Sequence, residues 1–348
     1  MRTLRLLLLP LAWLYGGVAA LRRYLYRRGW LKSYTPSVPT ICIGNLRVGG
    51  TGKTPHTECI AELLSPMFKV AILSRGYRRQ TKGFVLAQRD ASAATIGDEP
   101  LQYFYKFPSV TVAVDEKRAE GIQKLQQQCP DLEVVLLDDA YQHLQVKAAC
   151  NILITPFNDL YVNDFPLPAG NLREFRCAAR DADVIVVSKT PLSCDEKQRE
   201  VVLHALSPKA HQRVFFTAYE YQPLRPVTSL AEQAQLEPGA VVLALTGVAQ
   251  PEPLYKELEL RGLQVVPARF PDHHTFSDAD MARVVEQFQQ RCACAVITTE
   301  KDYMRLRSAE LENVLSLLPV FVAPISVKVL FNQENQFNKT ILSYVTED

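Results

Sequence analysis

Short apolar runs alternate along the chain with longer stretches of helical periodicity. Residues 40–43, 70–73, 110–114, 134–137, 152–155 and 184–187 are apolar almost throughout and rich in Val and Ile. That composition predicts strands covered on both faces. Helical patterns fall between them at 54–64, 100–107 and 117–128. The alternation predicts a parallel sheet with helices on both sides, with ligands beyond the carboxyl ends of the strands. The pattern breaks near residue 213. Residues 214–219 read as a strand, and Pro223 and Pro226 then interrupt. A second α/β unit follows, with strands at 241–246, 265–269 and 295–299 and helices at 253–261 and 278–290. A last strand at 320–325 is placed to pair with 214–219. The expected organisation is a terminal segment 1–32, a larger domain 33–212 to which 331–348 returns, connector strands in 213–227 and 319–330, and a smaller α/β domain 228–318.

The first strand runs into Gly44-Asn45-Leu46-Arg47-Val48-Gly49-Gly50-Thr51-Gly52-Lys53-Thr54-Pro55, and a helix follows. A glycine-rich turn there lets backbone N–H groups face phosphate oxygens, and the helix N-terminus favours their charge. Lys53 can reach the β- and γ-phosphates, and the Thr54 hydroxyl can ligate Mg²⁺. This is a P-loop, and it predicts a nucleoside triphosphate ligand. The strict pattern wants Gly where Arg47 stands, and Val48 stands where P-loops of the membrane-recruited ATPases carry Lys. The fold class expected is therefore α/β: a P-loop NTPase parallel sheet with helices on both faces, plus a smaller α/β domain joined by a two-stranded connector.

Charge changes the picture at one end only. Of 39 basic residues, seven lie in residues 1–32, which hold no acidic residue, and the other 316 residues carry a net −5. A mildly acidic body argues against nucleic acid as a partner. Residues 6–21 are sixteen without a charge, followed by Arg22-Arg23-Tyr24 and Tyr26-Arg27-Arg28-Gly29-Trp30. Sixteen falls short of the roughly 20 that span a bilayer. An apolar stripe flanked by Arg, Tyr and Trp reads as an interfacial membrane anchor; a true span, a buried helix and a signal peptide are the other readings. The eight cysteines are scattered, as in a reduced cytosolic protein, and only Cys292 and Cys294 lie close.

Candidate chemistry lies at strand ends and in loops. Residues 134–137 lead into Asp138-Asp139, where a P-loop enzyme holds Mg²⁺. Adjacent carboxylates on a strand point in alternate directions, so one could serve the metal and the other position a second group. Asp98-Glu99-Pro100 opens a helix, and Asp98 as a plain N-cap is the simpler alternative. Asp272-His273-His274 follows a strand of the second unit and offers a general base or its orienting partner. Ser74-Arg75-Gly76-Tyr77-Arg78-Arg79 and Gly170-Asn171-Leu172-Arg173-Glu174 present Arg on loops, suited to phosphate groups or simply solvated.

Taken together and in this order, these motifs resemble the tetraacyldisaccharide 4′-kinases of lipid A biosynthesis. The resemblance runs from Leu9-Pro10 and Tyr15-Gly16 through the P-loop, Ser74-Arg75-Gly76-Tyr77, Gly97-Asp98-Glu99-Pro100, Leu137-Asp138-Asp139, Gln142-His143 and Leu172-Arg173-Glu174. It continues to Phe270, Asp272-His273 and Thr299-Glu300-Lys301-Asp302. Ala140-Tyr141 stands where the family usually has Gly-Phe, and Phe175 where it has Pro. The resemblance implies ATP-dependent phosphorylation of the 4′-hydroxyl of a tetraacylated disaccharide 1-phosphate. It implies Gly49, Gly50, Thr51, Gly52, Lys53 and Thr54 at ATP, and Thr54, Asp138 and Glu99 at Mg²⁺. It implies Asp98, His273, Lys53 and Asp139 in catalysis, with the Asp98–His273 pair assisting the acceptor hydroxyl. Tyr77, Arg78, Arg118, Gln142, Asn171 and Arg173 are the expected substrate contacts. Such an enzyme is expected as a monomer, peripheral or monotopic, on an anionic membrane surface at the cytoplasmic face of the inner membrane. The alternatives are a membrane-recruited P-loop ATPase and a P-loop GTPase. The first lacks its signature lysine. The second lacks an Asp in the base-reading position near Ser188-Lys189-Thr190-Pro191, and no D-x-x-G switch follows the metal strand.

Overall fold

The computed structural model describes residues 5–307 and 309–346. Two sheets organise it. The larger contains β1 (Thr40–Asn45), β2 (Val70–Ser74), β3 (Val85–Leu86), β4 (Thr111–Val114), β5 (Val134–Asp138), β6 (Cys150–Pro156), β7 (Val184–Ser188) and β8 (Arg213–Tyr221). The smaller contains β9 (Arg225–Pro226), β10 (Val241–Thr246), β11 (Gln264–Arg269), β12 (Ala295–Thr299) and β13 (Val320–Ala323), and β14 (Ile325–Val329) returns to the larger. The orders are β14-β8-β7-β6-β1-β5-β2-β4-β3 and β11-β10-β12-β13-β9. From β4 to β8 the larger sheet is parallel, with β3 and β14 antiparallel at its edges.

Alternate residues of each central strand go to opposite faces, and both faces are apolar. Ile41, Ile43, Ile72, Leu136 and Ile152 share one cluster with Ile60 and Leu64 of the helix Lys53–Leu64. Phe337, Ile341 and Val345 of the helix Glu334–Thr346 join it at four-residue spacing, one apolar stripe of that helix. Cys42, Leu73, Val135 and Leu137 lie on the other face with Ile122 and Leu125 of the helix Arg118–Gln128. Each such aliphatic side chain contributes about 1.5–3 kcal/mol by leaving water. β1 lies between β5 and β6, with Ile43 opposite both Asp138 and Ile152. The P-loop therefore leaves the sheet beside the carboxylates that end β5.

The strand expected at 320–325 is two strands. Val320–Ala323 joins the smaller sheet beside β12. Pro324, which has no N–H for a ladder, separates it from Ile325–Val329. It is that later segment that pairs antiparallel with β8, Ile325 opposite Tyr221 and Val329 opposite Thr217. β8 also pairs with β7, so the outgoing connector strand is itself part of the larger sheet.

The amino-terminal helix, Leu6–Arg27, is 22 residues, long and apolar enough by length and composition to cross a membrane. Ala12, Gly16 and Arg23 are buried against the body, while Leu7, Leu11, Trp13, Leu14, Val18 and Leu21 are exposed. Gly16 is required by a close approach: a Cβ there would lie 2.7 Å from the Phe175 ring. The basic flank does not all face outward. Arg23 bonds Glu174 at 2.7 Å and Asp181 at 2.6 Å, and Arg27 also pairs with Asp181. Arg5 donates to the Pro168 carbonyl and to Asn171 Oδ1. These arginines fasten the helix to acidic and carbonyl groups of the body. The sequence pattern by itself reads Arg23 and Arg27 as flanking a membrane anchor.

Candidate active site

The P-loop is tied down on several sides and open on one. Val48 N–H donates to the Asn171 carbonyl at 2.9 Å, and Arg173 N–H to the Leu46 carbonyl at 2.7 Å. Arg47, at the position of the pattern's glycine, pairs with Asp159 and, at 3.2 Å, with Asp164. Ser188 Oγ donates to the Thr51 carbonyl at 2.7 Å. Gly49 and Gly52 have φ of +105° and +99°, which few other residues adopt. A Cβ on Gly52 would lie 1.8 Å from the Tyr219 hydroxyl, whereas Gly49 and Gly50 face open space. Among the described residues no protein partner meets the N–H groups of Gly50, Gly52, Lys53 and Thr54. An open cradle of free N–H groups at a helix N-terminus fits a phosphate chain.

His56 locks the underside of the loop. Its Nδ1 is 2.7 Å from the Gly52 carbonyl, which can only accept, so Nδ1 carries the proton. Nε2 then accepts from the Thr217 hydroxyl at 2.9 Å. Burial pushes the imidazole down to about 4, which matches this neutral tautomer.

Asp138 and Asp139 take different environments. β5 ends at Asp138, and Asp139 turns into the left-handed region with φ +47°, so simple strand alternation does not set their directions. The Asp138 carboxylate is buried, accepting from Ser74 Oγ at 3.2 Å and Thr57 Oγ1 at 3.5 Å. Burial, then the nearby Glu99 and Asp139 charges, push it up to about 7. A divalent cation would relieve that excess of negative charge. Asp139 is also raised by burial, but Lys53 at 3.8 Å and Arg173 outweigh this and hold it below its ordinary value. Arg173 grips it with Nη1 at 2.8 Å and Nη2 at 3.2 Å. Among the described residues no cluster of three His, Cys, Asp or Glu could hold a metal. Mg²⁺ needs no such cage, since it is commonly held by one or two carboxylates and substrate phosphates.

The helix Asp98–Lys106 reaches the P-loop helix through long polar side chains. One turn in from Asp98, Gln102 donates to Glu58 at 2.6 Å, and Glu58 is one turn in from Thr54. Glu58 also accepts from Lys106 at 2.7 Å, so two successive turns of this helix reach the P-loop helix. Gly97 is the N-cap of this helix, so Asp98 sits inside the first turn and is not a cap. Its Oδ2 is 3.4 Å from His273 Nδ1 and accepts from Arg305 Nε at 3.0 Å and Nη2 at 2.9 Å. Burial alone would raise Asp98, but His273, Lys301 and Arg305 hold it well below the carboxylate range. His273 has φ +57°, an uncommon conformation held by its N–H on the Gly247 carbonyl at 3.1 Å.

The family model described as LpxK, tetraacyldisaccharide-1-P 4′-kinase, matches residues 4–346. The chain belongs to that family. The tetraacyldisaccharide 4′-kinase of Flavobacterium johnsoniae is 41% identical over 100% of this chain and 99% of its own length. That of Bacteroides fragilis strain YCH46 is also 41% identical, over 98% of this chain and 93% of its own. The crystal structure of LpxK from Aquifex aeolicus in complex with ATP is 29% identical, with TM-score 0.76, and the match covers 98% of this chain and 99% of that one.

For a 4′-kinase of this family the positions of the expected contacts are informative. Tyr77 is exposed, its ring 5.7 Å from that of His273, and Arg78 Nη1 donates to the His273 carbonyl at 2.7 Å. Their loop borders a cavity of about 330 Å³ that is also lined by Arg75, Lys82 and Arg79, whose buried side chain is paired with Glu116 at 2.6 Å. Gln142 bridges the Asn45 carbonyl and Arg173. Asn171 spends its side-chain oxygen on Arg5 and its carbonyl on the P-loop. Arg118, expected to meet substrate, is instead 1% exposed and donates to the carbonyls of Asp115 and Asp138, which steadies the end of β5. Glu99, expected at the metal, is bonded to Lys301 at 2.8 Å in this conformation. Lys301 belongs to the Thr299-Glu300-Lys301-Asp302 motif shared with the family. Nothing in the sequence around Arg305 marks it, although it lies four residues from Lys301 on the helix Glu300–Leu306 directly after β12, a spacing that puts them on one face.

Proposed function

We propose that the chain transfers the γ-phosphoryl group of ATP to the 4′-hydroxyl of a tetraacylated disaccharide 1-phosphate, with Asp98 and His273 assisting that hydroxyl. The observation that carries this is the approach of His273, from the smaller sheet's domain, to 3.4 Å from Asp98, on a helix tied through Gln102 and Glu58 to the helix that bears the P-loop. Asp98 orients His273 through Nδ1, leaving Nε2 free to take the hydroxyl proton. The alcohol oxygen then bonds to the γ-phosphorus as the bond to the β–γ bridging oxygen breaks, and ADP leaves. Lys53 and the loop N–H groups neutralise charge on the phosphates, the principal catalytic need in phosphoryl transfer. Thr54 and Asp138 are the residues that would hold Mg²⁺, which when bound neutralises charge on the β- and γ-phosphates. Arg173, held between Asp139 and Gln142, keeps Asp139 beside Lys53. Arg75, Arg78 and Lys82 offer positive charge to the acceptor's own phosphate, while Arg79 is spent on Glu116.

The acceptor's acyl chains remain in a membrane, so the enzyme works at its surface, on the cytoplasmic side where ATP is available. The exposed face of the amino-terminal helix supplies the docking element. A regulatory ATPase or a GTPase would need no acceptor-side pair. The deciding assay follows label from [γ-³²P]ATP into the acylated disaccharide 1-phosphate in mixed micelles. Nucleotide hydrolysis without labelled lipid would sink the proposal.

A further inference from the structure

Arg305 is placed to act on the Asp98–His273 pair from both ends. It is nearly enclosed, its side chain 7% exposed, on the helix Glu300–Leu306 that follows β12. Two of its nitrogens, Nε and Nη2, converge on Asp98 Oδ2 at 3.0 and 2.9 Å, across the gap between the two lobes. Its third, Nη1, donates to the Gly247 carbonyl and to Asp302 Oδ1, each at 2.9 Å. That same Gly247 carbonyl accepts the backbone N–H of His273. Nη2 also lies 3.5 Å from His273 Nδ1. One rigid guanidinium thus holds the carboxylate contributed by one lobe and the backbone that carries the imidazole of the other. Asp302, fully buried and bonded to Thr299 Oγ1 at 2.8 Å, holds Arg305 in turn. The remaining Asp98 oxygen accepts the Glu99 N–H at 3.0 Å, so the carboxylate has little freedom to rotate.

We infer that Arg305 is the positioning residue of the acceptor-side pair, setting the separation of Asp98 and His273 when the lobes meet. Its nitrogens are spent on Asp98, Gly247 and Asp302, so it acts through the pair. The inference rests on Asp98 and His273 being that pair. A shorter cation cannot substitute: a lysine ammonium cannot span Asp98, Gly247 and Asp302 with one planar fork. Misplacing a reacting group by about 1 Å costs on the order of 10²-fold in rate.

The experiment measures phosphoryl transfer by the full chain in mixed micelles for Arg305→Lys, Arg305→Gln, Arg305→Ala, His273→Ala, Asp98→Ala and the double variant Arg305→Gln/His273→Ala, with circular dichroism as the check on folding. The expected result is a fall in kcat of about 10–100-fold for each Arg305 variant, with KM for ATP within about threefold of wild type. In the His273→Ala background, Arg305→Gln should cost little more. Added guanidinium ion should restore part of the rate of Arg305→Ala and none of that of His273→Ala. A purely structural ion pair would give additive losses and no rescue, and either result overturns the inference. A wild-type rate in Arg305→Lys overturns it as well, and that variant keeps the test open should Arg305→Ala or Arg305→Gln fail to fold. If His273→Ala and Asp98→Ala themselves turn over normally, the failure is in the assignment of the pair, whatever Arg305 does.

Discussion

Lowering the pH from 7 to 5 should cost the protein about 2 kcal/mol of stability through His56 alone. In an unfolded chain its imidazole titrates near 6.5, and in the folded protein burial brings it down to about 4, with the Gly52 carbonyl bond opposing only in part. Between those values the unfolded chain binds more protons than the folded one, so stability falls as pH falls. Each unit of pH in that window is worth about 1.4 kcal/mol. At pH 5 the loss is about 2 kcal/mol, and below pH 4 it levels off near 3 kcal/mol. The structural cause is specific: a second proton would sit on Nε2, which now accepts from Thr217, in a site closed to solvent. Glu58 and Asp138, pushed up to about 7 chiefly by burial, work in the opposite sense, since the folded state then holds the extra proton. The quantity to measure is therefore a difference. Urea unfolding of wild type and His56→Gln at pH 7 and pH 5 isolates it, because Gln does not titrate. Wild type should lose about 2 kcal/mol more than the variant over that interval. Equal losses would show that His56 is not held neutral beneath the loop.

Four further outcomes are expected. Lys53→Ala and Thr54→Ala should each lower turnover by about 10²-fold or more while circular dichroism stays unchanged, since charge stabilisation at the phosphates is lost; near-normal turnover would remove this loop from the ATP site. Gly52→Ala should abolish ATP binding measured by calorimetry, because its φ of +99° and the Tyr219 hydroxyl 1.8 Å from the new Cβ both oppose it; retained binding would show that the loop tolerates another shape. Asp98→Ala and His273→Ala should each lower kcat strongly with ATP affinity little changed, and the double variant should be little worse than the worse single one, as groups acting as a unit are not additive; additive losses would separate the two roles. Vesicle flotation should persist at high salt and fall when Leu7, Leu11 and Leu14 are changed together to Ser, because Arg23 and Arg27 are engaged with Glu174 and Asp181; loss of flotation in salt with no effect of the Ser changes would make the attachment electrostatic.

Much of the larger lobe is legible in the chain because its determinants are local. Runs of Val and Ile bounded by helical periodicity mark β2, β5, β6 and β7 to within two residues at either end. The P-loop announces itself because strand, glycines, lysine and helix are contiguous, and backbone sterics at Gly49 and Gly52 act on nearest neighbours alone. Asp98 and His273 were brought together by resemblance rather than by pattern, since nothing local to either residue names the other across 175 positions. The partner of β8 lies one segment later than the pattern predicts, because 320–325 and 325–329 are equally strand-like and only the packing of two sheets decides which meets β8.

What tertiary structure alone decided is mostly the partnership of long charged side chains. The sequence marks Arg23 and Arg27 as basic residues beside an apolar stripe, and it says nothing of Glu174 and Asp181 waiting on the body. It marks Arg118 as a cation at the start of a helix, and only the fold encloses it beneath Asp138. It leaves Arg305 unremarked, although that residue joins two lobes at Asp98 and Gly247. The physical reason is one of range. Strands, caps and phosphate loops are set by dihedral sterics and hydrogen bonds among residues a few places apart. The fate of a guanidinium on a flexible stem depends on which carboxylate is brought within about 3 Å when separately formed elements dock.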